Sequence, residues 1–157
     1  MTSEPAPQQE RLVDVHLLRY PLRVGSRANE HYEEVFREFA LLASAELSHD
    51  VPTRMLALID ALGRRYARQE QHEIEREEAL RRGEVSRDLT VHIPPSAADA
   101  CRELDAMLDE TDDFCRAGAL LTLAPPADGV DFRRWYLSEC IAQIDGRAAM
   151  AWPGALT

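Results

Sequence analysis

Lysine is missing from this chain of 157 residues, so all 18 basic residues are arginine, and 28 acidic residues outnumber them for a net charge of −10. We attribute the arginine bias to GC-rich coding rather than to anion recognition. The acidic excess repels phosphate backbones and anionic headgroups, which argues against nucleic acid and against a membrane surface as partners. Cysteine is scarce: the 3 thiols, Cys101, Cys115 and Cys140, show no CxxC spacing, and an odd number spread through helical stretches argues against a disulfide framework and a zinc site. Buried, reduced thiols are the expectation. None of the 7 glycines forms a GxG, and Walker-type and GxSxG spacings are missing, so the common nucleotide folds and nucleophile elbows are excluded. No apolar run approaches the roughly 20 residues that span a bilayer, and the polar opening TSEPAPQQE has no signal-peptide core, which points to a cytoplasmic protein.

What the chain does have is periodicity. Tyr32, Val35, Phe36, Phe39, Leu42, Ala43 and Leu47 recur at i, i+3, i+4, i+7 along Arg27 to Leu47, the spacing of one helical face, and this helix is expected to hold the densest core. Upstream, Val13, Val15 and Leu17 alternate with Asp14 and His16 in the period of a half-covered strand that Tyr20-Pro21 should end. Gly25-Ser26 would then turn into the helix, with Ser26 or Asn29 as its cap. Pro52 opens a second helix with Met55, Leu56, Ile59, Leu62 and Tyr66 on its buried face; beyond Tyr66 the stripe gives way to Glu70, Glu73 and Glu77, a solvated extension that Gly83 stops. Leu89, Val91 and Ile93 alternate with Asp88, Thr90 and His92 in a second strand. Ser96 and Asp99 resemble a capping box ahead of a third helix, whose outer side carries Asp105, Asp109, Asp112 and Asp113. A short strand is expected at Leu120 to Leu123. A fourth helix runs from Asp128 towards Gly146 with an unusually wide apolar arc.

This order predicts an α+β two-layer sandwich, a small mainly antiparallel sheet with four helices packed on one face. Residues 1–10 read as a disordered tail, 11–146 as a single domain and 147–157 as a C-terminal tail.

Three clusters are candidate sites, and none carries a catalytic, cofactor or metal signature. If the two strands are neighbours, Asp14, His16, Thr90 and His92 share the face opposite the core, where two imidazoles and a carboxylate suit a metal or proton transfer; an ordinary solvated face has the same composition. Arg23, Gly25, Ser26 and Arg27 at the expected helix start would offer free N–H groups and guanidinium charge to a phosphate or carboxylate, beside the plainer reading of a capped turn. On the last helix Trp135, one turn from Asp131 and from Glu139, has the make-up of a partner anchor, or else of a peripheral core residue covered by Trp152. The acidic side of helix three reads as a solvated face.

YPLRVGSRANEHYEEVFREFALL and FRRWYLSECIAQI resemble small actinobacterial proteins associated with partner-switching regulation, in which anti-sigma kinases of the GHKL ATPase type and STAS-domain antagonists control sigma factors. The resemblance covers most of Leu12 to Gly146 and implies a regulatory setting, with no residue assigned to chemistry. The asparagine and glycine boxes of a GHKL ATPase are missing, so it does not extend to a kinase. The expected function is therefore a non-enzymatic regulatory protein that binds another protein, with self-association also open. The alternative is a small-molecule or metal-binding domain, or an enzyme, using the polar sheet face or the turn at Arg23 to Arg27.

Overall fold

The computed structural model describes residues 10–44, 70–118 and 120–157. Residues 1–9 of the tail expected at 1–10, the stretch from Leu47 to Tyr66 and the side chains of Phe39, Leu42 and Ala43 lie outside the described residues. The described elements are β1 (Val13–Pro21), α1 (Leu22–Ser44), α2 (Glu70–Arg81), β2 (Ser86–Ile93), α3 (Ala97–Arg116) and α4 (Ala127–Ile144). Four helices and a two-stranded antiparallel sheet make a small α+β fold.

The alternation seen in both strands is realised in their register. Val13 pairs with Ile93, Val15 with Val91 and Leu17 with Leu89, and these side chains turn towards the helices; Asp14 pairs with His92 and His16 with Thr90 on the other face. The ladder ends at Tyr20-Pro21 as expected, but it does not run regularly to that point. A bulge after Leu17 shifts the register, Arg19 takes a left-handed φ of 55°, and pairing resumes as Tyr20 with Arg87 and Pro21 with Ser86. The extra residue is tolerated because the Asp88 carboxylate accepts the Arg19 N–H at 2.7 Å. Pro21 needs no ladder donor at the last rung, so it closes the strand from inside.

Helix α1 starts at Leu22, directly after the strand, and Gly25-Ser26 lie within it. A Cβ at Gly25 would come within 2.7 Å of the Tyr20 ring, so this glycine is there for close approach and does not turn the chain. Ser96 likewise makes no capping bond: its hydroxyl donates to Glu10 Oε2 at 2.8 Å, and the expected capping box is not formed. Leu120 to Leu123 is not a strand. Gly83, at φ 81°, does end α2, with Glu84 N–H donating to the Ala79 carbonyl. Helix α2 is only partly the solvated extension expected, because Ala79 is fully buried and Arg76 lies over the Tyr20 ring, 5.6 Å from its centroid.

Among the described residues the main core does not centre on α1. It gathers where the apolar sheet face meets α4, around Tyr20, Phe132, Trp135 and Trp152. Tyr20 and Phe132 meet edge to face at 5.2 Å, and Trp135 and Trp152 do so at 5.5 Å. On α1, Val35 is buried but belongs with Met107 and Cys115 to a smaller cluster against which Phe36 packs only partly buried. The C-terminal segment is therefore part of the core, in contrast to its reading as a tail. Trp152 N–H donates to the Leu18 carbonyl at 3.0 Å, the Arg19 guanidinium donates to the Trp152 and Gly154 carbonyls, and Trp135 Nε1 donates to the Met150 carbonyl at 3.1 Å.

Trp152→Ala is expected to destabilise the protein by about 3–5 kcal/mol, the range for emptying a buried aromatic site. A loss near zero in urea melts would mean that the segment packs only loosely. Gly25→Ala tests the α1 start by its sign. A helix-interior glycine usually gains roughly 0.5–1 kcal/mol on becoming alanine, whereas here the Tyr20 ring should turn that gain into a loss of thermal midpoint.

Candidate functional site

The structure brings the sheet-face residues together as the alternation required, but as two separate pairs. His92 Nδ1 lies 2.7 Å from Asp14 Oδ1, and His16 Nδ1 lies 3.1 Å from Thr90 Oγ1. The Asp14 and His92 side chains are both more than half exposed on an open face. Among the described residues no group of three or more His, Cys, Asp or Glu side chains is arranged to hold a metal ion.

The expected anion turn is not assembled. Because α1 begins at Leu22, the amides of Ser26 and Arg27 lie beyond the first turn, where helical bonding uses them. Ser26 Oγ points to Glu30, and Arg27 is bound to Asp128 at 2.7 Å across to α4, so the cation pins the helix start of α4; Arg23 is exposed. Of the two readings of Trp135, the structure shows the core residue covered by Trp152 and not the displayed anchor. Trp135 is buried beneath Trp152, and Glu139 is buried with its Oε2 accepting from Gln143 Nε2 at 2.9 Å and from Met150 N–H at 3.0 Å. Only Asp131 of that trio is exposed.

The densest polar constellation lies elsewhere, at Arg133. This side chain is 4% exposed, and its donors are divided among Asp105 Oδ1 at 3.0 Å, Asp112 Oδ2 at 2.9 Å, the Tyr32 hydroxyl at 3.1 Å and Asp109. Asp105, Asp109 and Asp112 follow one another at i, i+4 and i+7 and so line the side of α3 that faces α4. The acidic side of this helix is not simply a solvated face: Asp112 is 1% exposed. The i+4 and i+3 spacing of the carboxylates was visible in the sequence, as was an arginine within an apolar arc; read together they were the signal for this network.

Burial opposes the Arg133 charge, but Tyr32, Asp109 and Asp112 outweigh it and the guanidinium pKa is raised. Burial also opposes ionised Asp109, yet hydrogen bonds and charge from Arg133 and Arg134 hold it below its ordinary value. Asp112 goes the other way, since its burial is only partly offset by Arg133 and His31 and its pKa is raised. Tyr32 is pushed up to about 12 by burial, against the pull of Arg133. His31 is pushed down by burial, with Asp112 and Glu34 opposing. Among the described residues, Asp112 Oδ1 and His31 Nε2 are buried and meet no hydrogen-bond partner.

Arg133 also forms a wall of a cleft of about 340 Å³ between α1, α2, α3 and α4, where Tyr20, Tyr32, Phe36, Phe132 and Tyr136 supply an aromatic lining and Arg76 a charge. Elsewhere, the interaction of the Cys101 and Cys140 thiols lowers the first thiol's pKa and raises the second's. All three cysteines are buried.

Arg133→Met should cost about 3–5 kcal/mol near pH 7, because it leaves the Asp112 carboxylate buried and unpaired. The sign with pH is set by Asp112: its folded pKa lies above its unfolded one, so ionisation opposes folding, and that opposition fades as pH falls through the folded value. The deficit of the variant should therefore shrink as pH is lowered from about 7 to about 5. A deficit that widens over this range would show that Asp112 does not carry the cost. No family model, curated protein or solved structure matches the chain, and the roles assigned to these residues rest on their geometry.

Proposed function

We propose that this is a non-enzymatic regulatory protein that acts by binding another protein, with the loop Leu120 to Leu123 as its anchor. The observation that carries the reading is the display of two leucines: Leu121 is 93% and Leu123 is 82% exposed, on a loop whose backbone is held in place. Glu38 of α1 accepts from Leu121 N–H at 2.5 Å, from Thr122 N–H at 2.9 Å and from Thr122 Oγ1 at 2.7 Å. Burial opposes the Glu38 charge, but these donors outweigh it and keep its pKa below the ordinary value. A loop fixed before binding loses less entropy on docking, so its apolar side chains contribute more of their transfer energy to affinity. Leu41, 65% exposed one turn beyond Glu38, extends the apolar surface. With a chain charge of −10, the complementary surface is an apolar pocket with a basic rim.

The resemblance of the α1 and α4 stretches to partner-switching proteins supports a regulatory setting, such as a stress or sigma-factor circuit in the cytoplasm. No described helix is long and apolar enough to cross a membrane. A second reading, binding of a small aromatic molecule, is favoured by the cleft beside Arg133, whose volume falls in the range of ligand sites.

Leu121→Asp with Leu123→Asp should abolish partner capture from native extract and leave the melting midpoint within about 1 °C, since exposed side chains contribute little to folding. Capture that survives the double change would sink the loop reading. A midpoint raised by a small aromatic compound, and lost on Tyr136→Ala, would support the cleft instead.

A further inference from the structure

We infer that the free edge of β2 is a self-association surface, on which a second copy of this chain pairs antiparallel about Thr90 to join two two-stranded sheets into one of four strands.

The two edges of the sheet are treated differently. On the outer edge of β1, the Gln143 side-chain amide accepts the His16 N–H at 2.8 Å and donates to the His16 carbonyl at 2.9 Å, and Trp152 N–H takes the Leu18 carbonyl. That edge is occupied from His16 to Leu18. The same bonds show that the His16 main chain faces away from β2. In an antiparallel pair opposite residues face the same way, both inward or both outward, so the main chain of Thr90, opposite His16, also faces outward, and two-residue periodicity adds His92 and Asp88. Among the described residues their outward N–H and C=O groups meet no backbone partner. β2 contains no proline and no lysine, the bulge of the sheet lies in β1, and the charged Asp88 has a complementary partner in the register below.

The sequence of β2 is complementary to itself in one register. With Thr90 opposite the second copy's Thr90, each residue from Arg87 to Ile93 finds a partner, and Asp88 faces His92 of the other copy on both sides of the twofold axis. Thr90 would be a hydrogen-bonded pair, as its outward N–H and C=O demand. Moving the axis by one residue sets Asp88 or His92 against Thr90 and loses both Asp–His pairs. In the favoured register a row Asp14, His92 and the second copy's Asp88 runs across the open face, extending the 2.7 Å contact already made within one chain. On the other face Leu89 and Val91, already buried, would meet their counterparts and continue the apolar layer. This surface is separate from the Leu121 loop, and its failure would leave the proposed anchor untouched.

Sedimentation equilibrium of the full chain, combined with hydrogen exchange, tests the inference. A reversible dimer with a dissociation constant of about 1–100 µM is expected, with the Thr90 and His92 amides exchanging more slowly as concentration rises. Thr90→Pro removes an N–H that the β1–β2 ladder does not use, so the monomer should fold while the dissociation constant rises about tenfold or more. His92→Glu, which sets a carboxylate against Asp88, should weaken the dimer in the same direction. A chain monomeric throughout that range overturns the inference, as does a dimer without concentration-dependent protection of those amides. So does a dimer indifferent to Thr90→Pro or, should that variant fail to fold, to His92→Glu.

Discussion

The guanidinium of Arg133 is the charge around which three helices are set. Charge in the interior is tolerated only where its donors are satisfied, and a planar fork can be satisfied only by acceptors in fixed directions. Asp105, Asp109 and Asp112 supply those directions from α3, and the Tyr32 hydroxyl supplies one from α1. A rotation of α3 that moved its carboxylates by one residue would withdraw Asp112 and leave an uncompensated charge on each side. The network thus acts on specificity more than on net stability, since the cost of desolvating Asp112 and Arg133 consumes much of the attraction between them. Asp105 and Asp109 remain 35% and 46% exposed, so their share of that cost is smaller.

With α3 and α4 fixed in rotation, the aromatic cluster falls into place. Phe132 and Trp135 lie either side of Arg133 in sequence, and on α4 they turn towards the sheet and the C-terminal segment while the guanidinium turns towards α3. The bulge at Leu18 and Arg19 completes this side, since it frees a carbonyl for Trp152 and leaves the Arg19 guanidinium to hold the carbonyls that follow. A left-handed arginine costs roughly 1–2 kcal/mol. The three bonds that it and Asp88 make offset that cost and close the core with a segment outside any helix or strand.

Much of this was legible in the sequence where local periodicity decides structure. The alternation of Val13, Val15 and Leu17 with Asp14 and His16, and of Leu89, Val91 and Ile93 with Thr90 and His92, specified both strands and the polar face, because period two leaves one choice of face. Gly83 marked a helix end because few other residues adopt its φ cheaply. Legibility failed where a distant group decides. Gly25 looked like a turn, since nothing local reveals that Tyr20 will lie against it. Asp112 looked solvated because its partner lies on another helix, and Ser96 looked like a cap although Glu10 competes for its hydroxyl. Trp152 was anticipated as a cover for Trp135, but the stretch around it had no periodicity to show that the whole C-terminal segment joins the core.

The wide apolar arc of α4 has its explanation in the same arrangement. A helix packed on one side needs one stripe, whereas α4 meets β1 with one side and α3 and α1 with others, so buried positions spread around much of its circumference. That is why polar residues on it, Arg133, Glu139 and Gln143, are buried and bonded inward, and why Trp135 is not displayed. Glu139 shows how far the inward bonding extends: it holds the Gln143 amide that occupies the β1 edge at His16 and the Met150 N–H that starts the C-terminal segment on its path. A helix committed on so many sides has little surface to offer. The most exposed large apolar side chains lie instead outside every described helix and strand: the loop that Glu38 of α1 holds packs Leu120 against the smaller cluster, and with that residue turned inward Leu121 and Leu123 are left in solvent.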